Sequence, residues 1–207
     1  MYPLQLVKLN TELTLYVPDP ALIQSTYQKL VAENTETIFP YWAKIWASAH
    51  AMTQFLQEEP SWLKNKIVLE IGAGIGVPSL SIAALTHKTI ISDYAPDAVT
   101  LLQRNIELLK LNNTQAACMD WNNVSDYIIA DTILLSDTNY EPNAHNHLIL
   151  LIEKFINKGS IIILATPNRL ASNPFIDRIS KYITSTKKYS IPENDTNKEI
   201  VVMVLKK

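Results

Sequence analysis

The stretch "VLEIGAGIGVPS", residues 68–79, decides how the chain is read. A short apolar run ends at Ile71, glycines follow at 72, 74 and 76, and Pro78 suits the first turn of a helix. Those three glycines are three of only four in 207 residues. Glycine is costly to order, and one normally suffices to turn a strand into a helix. Three in one turn predict that the backbone passes unusually close to something.

Outward from this turn, strands and helices alternate. "KIVLEIG" (66–72) and "KTIISD" (88–93) read as short buried strands, with a helix over "VPSLSIAALT" (77–86) between them. "PDAVTLLQRNIELLKLNN" (96–113) is an amphipathic helix with Val99, Leu102, Ile106 and Leu109 inward. "TQAACM" (114–119), a strand within "YIIADTILLS" (127–136), the helix "HLILLIEKFIN" (147–157) and the strand "SIIILAT" (160–166) continue the pattern. "NPFIDRISKYIT" (173–184) reads as a helix with Asn173 as its cap, and "KYSI" and "EIVVMVL" as strands flanking a turn at "PENDTN". This alternation predicts a parallel sheet covered on both faces. The last two strands have no helix between them and must form a hairpin, which turns one antiparallel.

Before the turn, "LVKLNTELTLYV" (6–17) suggests a β-hairpin and "PDPALIQSTYQKLVAEN" (18–34) a helix capped by Asp19. "YWAKIWASAHAMTQFLQ" (41–57) places Trp42, Ile45, Ala49, Met52 and Leu56 on one helical face. We expect one structural unit: residues 1–59 as an extension packed on the core, and 60–207 as an α/β domain.

Nearly half the residues are apolar, 47%, enough to bury a full core. A net charge of −2 without a basic block argues against an electrostatic nucleic-acid binder. The lone Cys118, the absence of a signal-like start and of any apolar run near ~20 residues predict a cytoplasmic protein that neither spans nor binds a membrane.

The glycine spacing is G-x-G-x-G, one residue tighter at the third position than the dinucleotide fingerprint, and Glu70 lies two residues before it. A carboxylate there would repel a pyrophosphate. It would attract the ammonium of S-adenosylmethionine (SAM), and lie favourably near its sulfonium. Asp93, about 20 residues beyond the loop, can accept hydrogen bonds from ribose hydroxyls. Asp120 can accept from an adenine amino group, with Trp121 as a flat wall. Each acid alone could be an ordinary solvated strand end. All fall at carboxyl ends of successive strands, where open α/β sheets bind ligands.

"PYWAKIWASAHAM", "VLEIGAGIGVPSL", "ISDYAPDAVTLLQRNIE", "CMDW" and "SDTNYEP" together resemble methyltransferase family 16 of the seven-β-strand SAM-dependent methyltransferases, whose members include protein-lysine methyltransferases. The resemblance implies a Rossmann-like seven-stranded sheet with an antiparallel C-terminal hairpin. It implies that Glu70, Gly72, Gly74 and Gly76 hold the methionyl part of SAM, Asp93 the ribose, and Asp120 with Trp121 the adenine. Tyr94 and Ser136 join that set, and Trp46 matches a Trp that reaches the cofactor edge, although a core anchor at i, i+4 from Trp42 explains it as well. Asp137 and Tyr140, in "DTNY", match the family's D-x-x-Y motif after the fourth strand of the sheet. There Asp137 would orient the acceptor amine and Tyr140 line its channel. A plain turn is the alternative. The Pro-Pro-Tyr sequence of enzymes that methylate bases or amides is missing.

The expected function is therefore SAM-dependent methylation of a lysine in a protein substrate. Two alternatives stay open: a nicotinamide-like small-molecule N-methyltransferase, and an idle SAM-binding interaction module. No metal is expected, since "HNH" (145–147) lacks ligand partners. Cys118 is expected to pack as a small hydrophobe. Asn168 or Arg169 could line an acceptor pocket.

Overall fold

Strand β3 (Ile67–Ile71) carries the residues that decide the architecture: Val68, Leu69 and Ile71 are wholly buried, as a strand covered on both faces requires. In the computed structural model, which describes residues 2–11, 13–168, 173–193 and 195–207, β3 lies in the interior of a seven-stranded sheet. Its neighbours are β4 (Lys88–Asp93) and β5 (Thr114–Cys118) on one side, and β6 (Thr132–Ser136), β7 (Ile161–Pro167), β9 (Thr196–Leu205) and β8 (Ile183–Glu193) on the other. Strands β3 to β7 run parallel, and β9 runs antiparallel to both β7 and β8. The Rossmann-like sheet with its terminal hairpin is as the sequence predicts.

Alternate residues of the strands feed the two faces. Leu69, Ile71, Ile133 and Leu135 pack with α5 (His145–Asn157) and α6 (Asn173–Ile179). Val68, Leu134 and Ile163 pack with α2 (Ala47–Glu58) and with Ile82 of α3 (Val77–Ile82). Helix α2, placed by sequence within the N-terminal extension, is thus part of the layer covering the sheet. The small hairpin of β1 (Leu4–Lys8) and β2 (Thr14–Pro18) packs on α4 (Pro96–Leu109). There Asn105, fully buried, accepts from Tyr16 N at 2.8 Å and donates to Tyr16 O at 3.0 Å, satisfying a backbone pair that no strand reaches. Helix α1 (Pro20–Glu33), capped by Asp19 as expected, buries no residue completely.

Several boundaries differ from the sequence reading. Residues 41–57 do not form one helix: Tyr41–Ala43 make a 3-10 turn, Lys44 is extended, and α2 begins at Ala47. Trp42 and Ile45 therefore leave the expected helical face, because Trp42 is drawn into an edge-on contact with Tyr2 at 5.7 Å. On α4 the inward stripe centres on Ala98, Leu101, Leu102, Asn105 and Ile106, with Val99 and Leu109 at its margins. The helix expected over 173–184 ends at Ile179, since Ile183 already pairs with Leu205. The pairing of β8 and β9 continues to Glu193 and Thr196, leaving a tighter turn than "PENDTN" suggested. Cys118 is exposed rather than packed, its thiol 3.6 Å from Tyr94 O at the edge strand. The Asn173 side chain and Arg169 lie outside the described residues.

Candidate functional site

The strand order reverses between β3 and β6, so the loops leaving them diverge and open a crevice at the carboxyl edge of the sheet. A cavity of about 730 Å³ occupies it. All twelve candidate residues line this cavity: Trp46, Glu70, Gly72, Gly74, Gly76, Asp93, Tyr94, Asp120, Trp121, Ser136, Asp137 and Tyr140. The carboxyl ends of four strands and the loops that follow them bring all but Trp46 together, and Trp46 comes from the start of α2.

The glycine loop is held by the protein itself. Gly72, Gly74 and Gly76 all have positive φ, at 68°, 55° and 75°. An added Cβ on Gly72 would lie 3.0 Å from the Trp121 ring, and one on Gly74 would lie 2.9 Å from Trp42 O. The close approach expected from the sequence is thus to neighbouring chain, and it leaves the loop's outer surface to the cavity.

Two buried acids fix this loop. Asp93 accepts from Gly74 N and Ala95 N, both at 2.9 Å, one through each oxygen. Burial nevertheless raises its pKa. Glu70 Oε2 accepts from Ser79 N at 3.1 Å, doing for α3 what its N-cap Gly76 lacks a side chain to do. Burial pushes the Glu70 carboxyl up to about 7, with Asp93 adding to the rise. Its other oxygen, Oε1, is buried without a partner, as are Ser136 Oγ and Thr138 Oγ1. All three residues line the cavity, so polar groups brought by a ligand would satisfy them.

Further along, Asp120 Oδ1 accepts from Asn122 N at 2.9 Å and starts the 3-10 turn Trp121–Asn123, which sets the indole beside Gly72. At the end of β6, Asp137 N donates to Ala165 O at 2.8 Å, and its backbone then enters the left-handed region at φ 54°. Asp tolerates that conformation better than most residues. The turn leaves Asp137 only 8% exposed at the cavity wall. Tyr140 stays partly exposed, and burial, Glu141 and nearby Tyr94 push its phenol up to about 12.

Sequence reasoning missed a third wall. Residues 38–46 form a strap that places Ile38, Phe39, Tyr41 and Trp42 on the cavity beside Trp46. Rings run in series, Tyr27 to Phe39 at 5.1 Å, Phe39 to Tyr41 at 5.2 Å, and Tyr41 to Tyr140 at 5.6 Å. Trp46 Nε1 donates to Tyr41 O at 3.0 Å, and Lys44 Nζ sits 4.4 Å above the Trp46 ring while bridging to Glu193 at 3.1 Å. The aromatic clustering of "IFPYWAKIW" was the available signal, but a helical reading absorbed it.

Other candidates fall away. Asn168 is exposed, hydrogen-bonds Glu199, and does not line the cavity. His145 faces Asn139 O at 3.1 Å and packs on Phe175, while His147 does line the cavity. No group of His, Cys, Asp and Glu suited to a metal exists among the described residues, and no helix among them is long and apolar enough to cross a membrane.

The chain is similar to known proteins in sequence and in fold. The chain is 27% identical over 160 residues to the protein N-terminal and lysine N-methyltransferase EFM7 of Cryptococcus neoformans, covering 70% of this chain and 51% of that protein. It is 27% identical over 121 residues to the human histone-arginine methyltransferase METTL23, covering 56% and 64% respectively. The chain spans about half the length of the curated relatives it matches. Its fold is that of the N-methyltransferase NodS from Bradyrhizobium japonicum in complex with S-adenosylhomocysteine (SAH), with a TM-score of 0.64 at 16% identity over 88% of this chain and 99% of that one. Residues 26–182, which hold the strap, the glycine loop, the strand-end acids and "DTNY", match the profile described as lysine methyltransferase, and the chain belongs to that family.

Proposed function

We propose that the protein is a SAM-dependent N-methyltransferase acting on a lysine side chain of a protein. One observation carries this: a single cavity joins the glycine loop, the buried carboxylate of Glu70 and the Asp137–Tyr140 pair, in a chain of the lysine methyltransferase family. The orphaned polar atoms of Glu70, Ser136 and Thr138 fit a polar cofactor of that size.

In this reading Glu70 Oε1 receives the methionyl ammonium and the outer face of residues 72–76 the rest of that moiety. Asp93 holds the loop, and its carboxylate keeps acceptor capacity for a ribose hydroxyl beside Tyr94. Asp120 and Trp121 take the adenine, with Trp46 closing the edge and Ser136 offering its hydroxyl. When bound, the cofactor supplies a methyl group on a sulfonium, already activated for displacement.

The chain's own work is then alignment and exclusion of water. Asp137 accepts a hydrogen bond from the acceptor amine and fixes its direction. Its burial strengthens that attraction. Tyr140, kept neutral by its raised pKa, donates or accepts one hydrogen bond and closes the channel. The exposure of Tyr41, Tyr94 and Tyr140 at the mouth favours a side chain presented by a protein over an enclosed small molecule. A cytoplasmic setting completes the proposal.

The test is calorimetric titration with SAH, followed by incubation with labelled SAM and a cell extract. SAH binding, with label in lysines of the protein fraction, is expected. A flat SAH titration, or label confined to small molecules, would refute the reading.

A further inference from the structure

Eleven large apolar residues are exposed among the described ones, and four of them, Ile38, Tyr41, Tyr94 and Tyr140, line the mouth of this one cavity. Ile38 is 65% exposed, and nothing in the catalytic reading uses it. Such a concentration marks a contact surface, whereas scattered apolar residues need no explanation. The charged residues lining the cavity are acidic apart from Lys44. Glu141 and Asp120 are exposed at the mouth, and Asp137 lies deeper. The lysine of the strap, Lys44, is already engaged by Glu193 and the Trp46 ring.

We infer that this rim docks the polypeptide flanking the acceptor lysine, and selects a segment in which that lysine has an apolar neighbour and basic residues beside it. The inference rests on the methyltransferase reading and goes further, to the class of sequence accepted. Ile38 and Tyr41 take the apolar neighbour. Their positions follow from the strap, since the Trp46 indole holds Tyr41 O and Phe39 braces the Tyr41 ring at 5.2 Å. Glu141 and its acidic neighbours attract the basic residues, an attraction that sets on-rate and salt dependence more than depth of binding. A wall of aromatic faces also suits the methylene stem and cationic head of lysine.

The probe is a short fluorescent peptide with one lysine flanked by a leucine and two arginines. Its control replaces the leucine with serine and the arginines with glutamates. Polarisation is read with and without SAH, and SAH affinity is measured separately. The wild type is expected to prefer the first peptide about tenfold, with a preference that shrinks as salt rises. The double variant Ile38→Ser/Tyr41→Ser loses most of that preference through its apolar part, and Glu141→Lys through its charged part, both with unchanged SAH affinity. Equal binding of both peptides, or variants that bind as the wild type does, would overturn the inference. So would a concentration-dependent dimer that disappears in the double variant, since the rim would then serve a second copy. If SAH fails to bind the wild type, the cofactor reading falls, and the peptide arm still decides the docking.

Discussion

At the glycine loop an added Cβ on Gly76 would meet Leu102 Cδ2 at 2.5 Å, and Asp93 pins the loop through Gly74 N. Across the same cavity, Ile38 and Tyr41 stand open to solvent, and Tyr41 is braced by neighbouring rings, by its own N–H on Phe39 O at 2.9 Å and by the Trp46 indole. The loop's shape is fixed by close packing against buried side chains and backbone, whereas the rim is held by contacts at the surface. A cofactor common to a fold can be served by the first kind of construction. An acceptor that differs between relatives needs the second, where a side chain can change without disturbing the core.

The largest effect should come from adding one methyl group to the loop. Gly74→Ala combines the strain of a non-glycine residue at φ 55°, about 1–3 kcal/mol, with a 2.9 Å approach to the Trp42 carbonyl oxygen. Strap and loop would be pushed apart, and SAH binding should drop by at least about a hundredfold by calorimetry. Gly159→Ala is the control, because φ is 87° there but nothing lies within 4 Å of the new Cβ. It should lower the melting temperature and leave SAH affinity alone. If both variants bind SAH normally, the loop is not fixed by close packing and the contrast collapses.

Next comes the acceptor side. Asp137→Asn preserves tolerance for the left-handed backbone and removes only the charge. Methyl transfer should decline by about 10²–10⁴, with SAH affinity within about twofold. Asp137→Ala, which adds backbone strain, should behave similarly but melt earlier. Activity surviving in the Asn variant would remove Asp137 from the reaction.

The loop and the rim also differ in how well the sequence announced them. Glycine spacing, Glu70 and the acids at strand ends are local signals, because strand, turn and helix follow one another within a dozen residues. The parallel sheet was legible for the same reason, with Val68 and Leu69 needing apolar cover on both faces. The hidden parts depend on contacts between distant segments. Trp42 and Ile45 have helical spacing, yet Trp42 goes to Tyr2 and to the glycine loop, so tertiary packing overrides the periodicity. Tyr41 meets Tyr140 across 99 positions of chain, which no local pattern reports. Asp93 was read as a ribose ligand and also proves to be the clamp on Gly74, a role visible only once β4 lies beside the loop.

Glu70 tests the loop by pH. Its pKa rises from an ordinary 4.5 to about 7 in the folded protein, mainly through burial. The folded state therefore binds more protons than the unfolded one across that window. Stability of the free protein falls as pH rises from 4.5 to about 7, by on the order of 3 kcal/mol, and Glu70→Gln should flatten the slope. Binding has the opposite sign. An ammonium beside Oε1 lowers the pKa again, so SAH affinity should rise with pH up to about 7 and level off above it. Glu70→Gln should bind about tenfold to a hundredfold more weakly above pH 7, with little pH dependence. A wild-type affinity that is flat between pH 5 and 8 would place the ammonium elsewhere.

Tyr140→Phe should have the smallest effect, and it separates ring from hydroxyl at the rim. The ring packs on Tyr41 at 5.6 Å, and phenylalanine keeps that contact. The hydroxyl, held neutral by a pKa near 12, contributes one uncharged hydrogen bond, about 0.5–1.5 kcal/mol. Turnover should then fall only about two- to tenfold, mostly in kcat. The pH profile of the wild type should show no break near 10, where an ordinary phenol would ionise. A loss as large as that of Asp137→Asn would make the hydroxyl a direct participant in proton transfer. It would also mean that the rim, for all its exposure, is held as tightly as the loop.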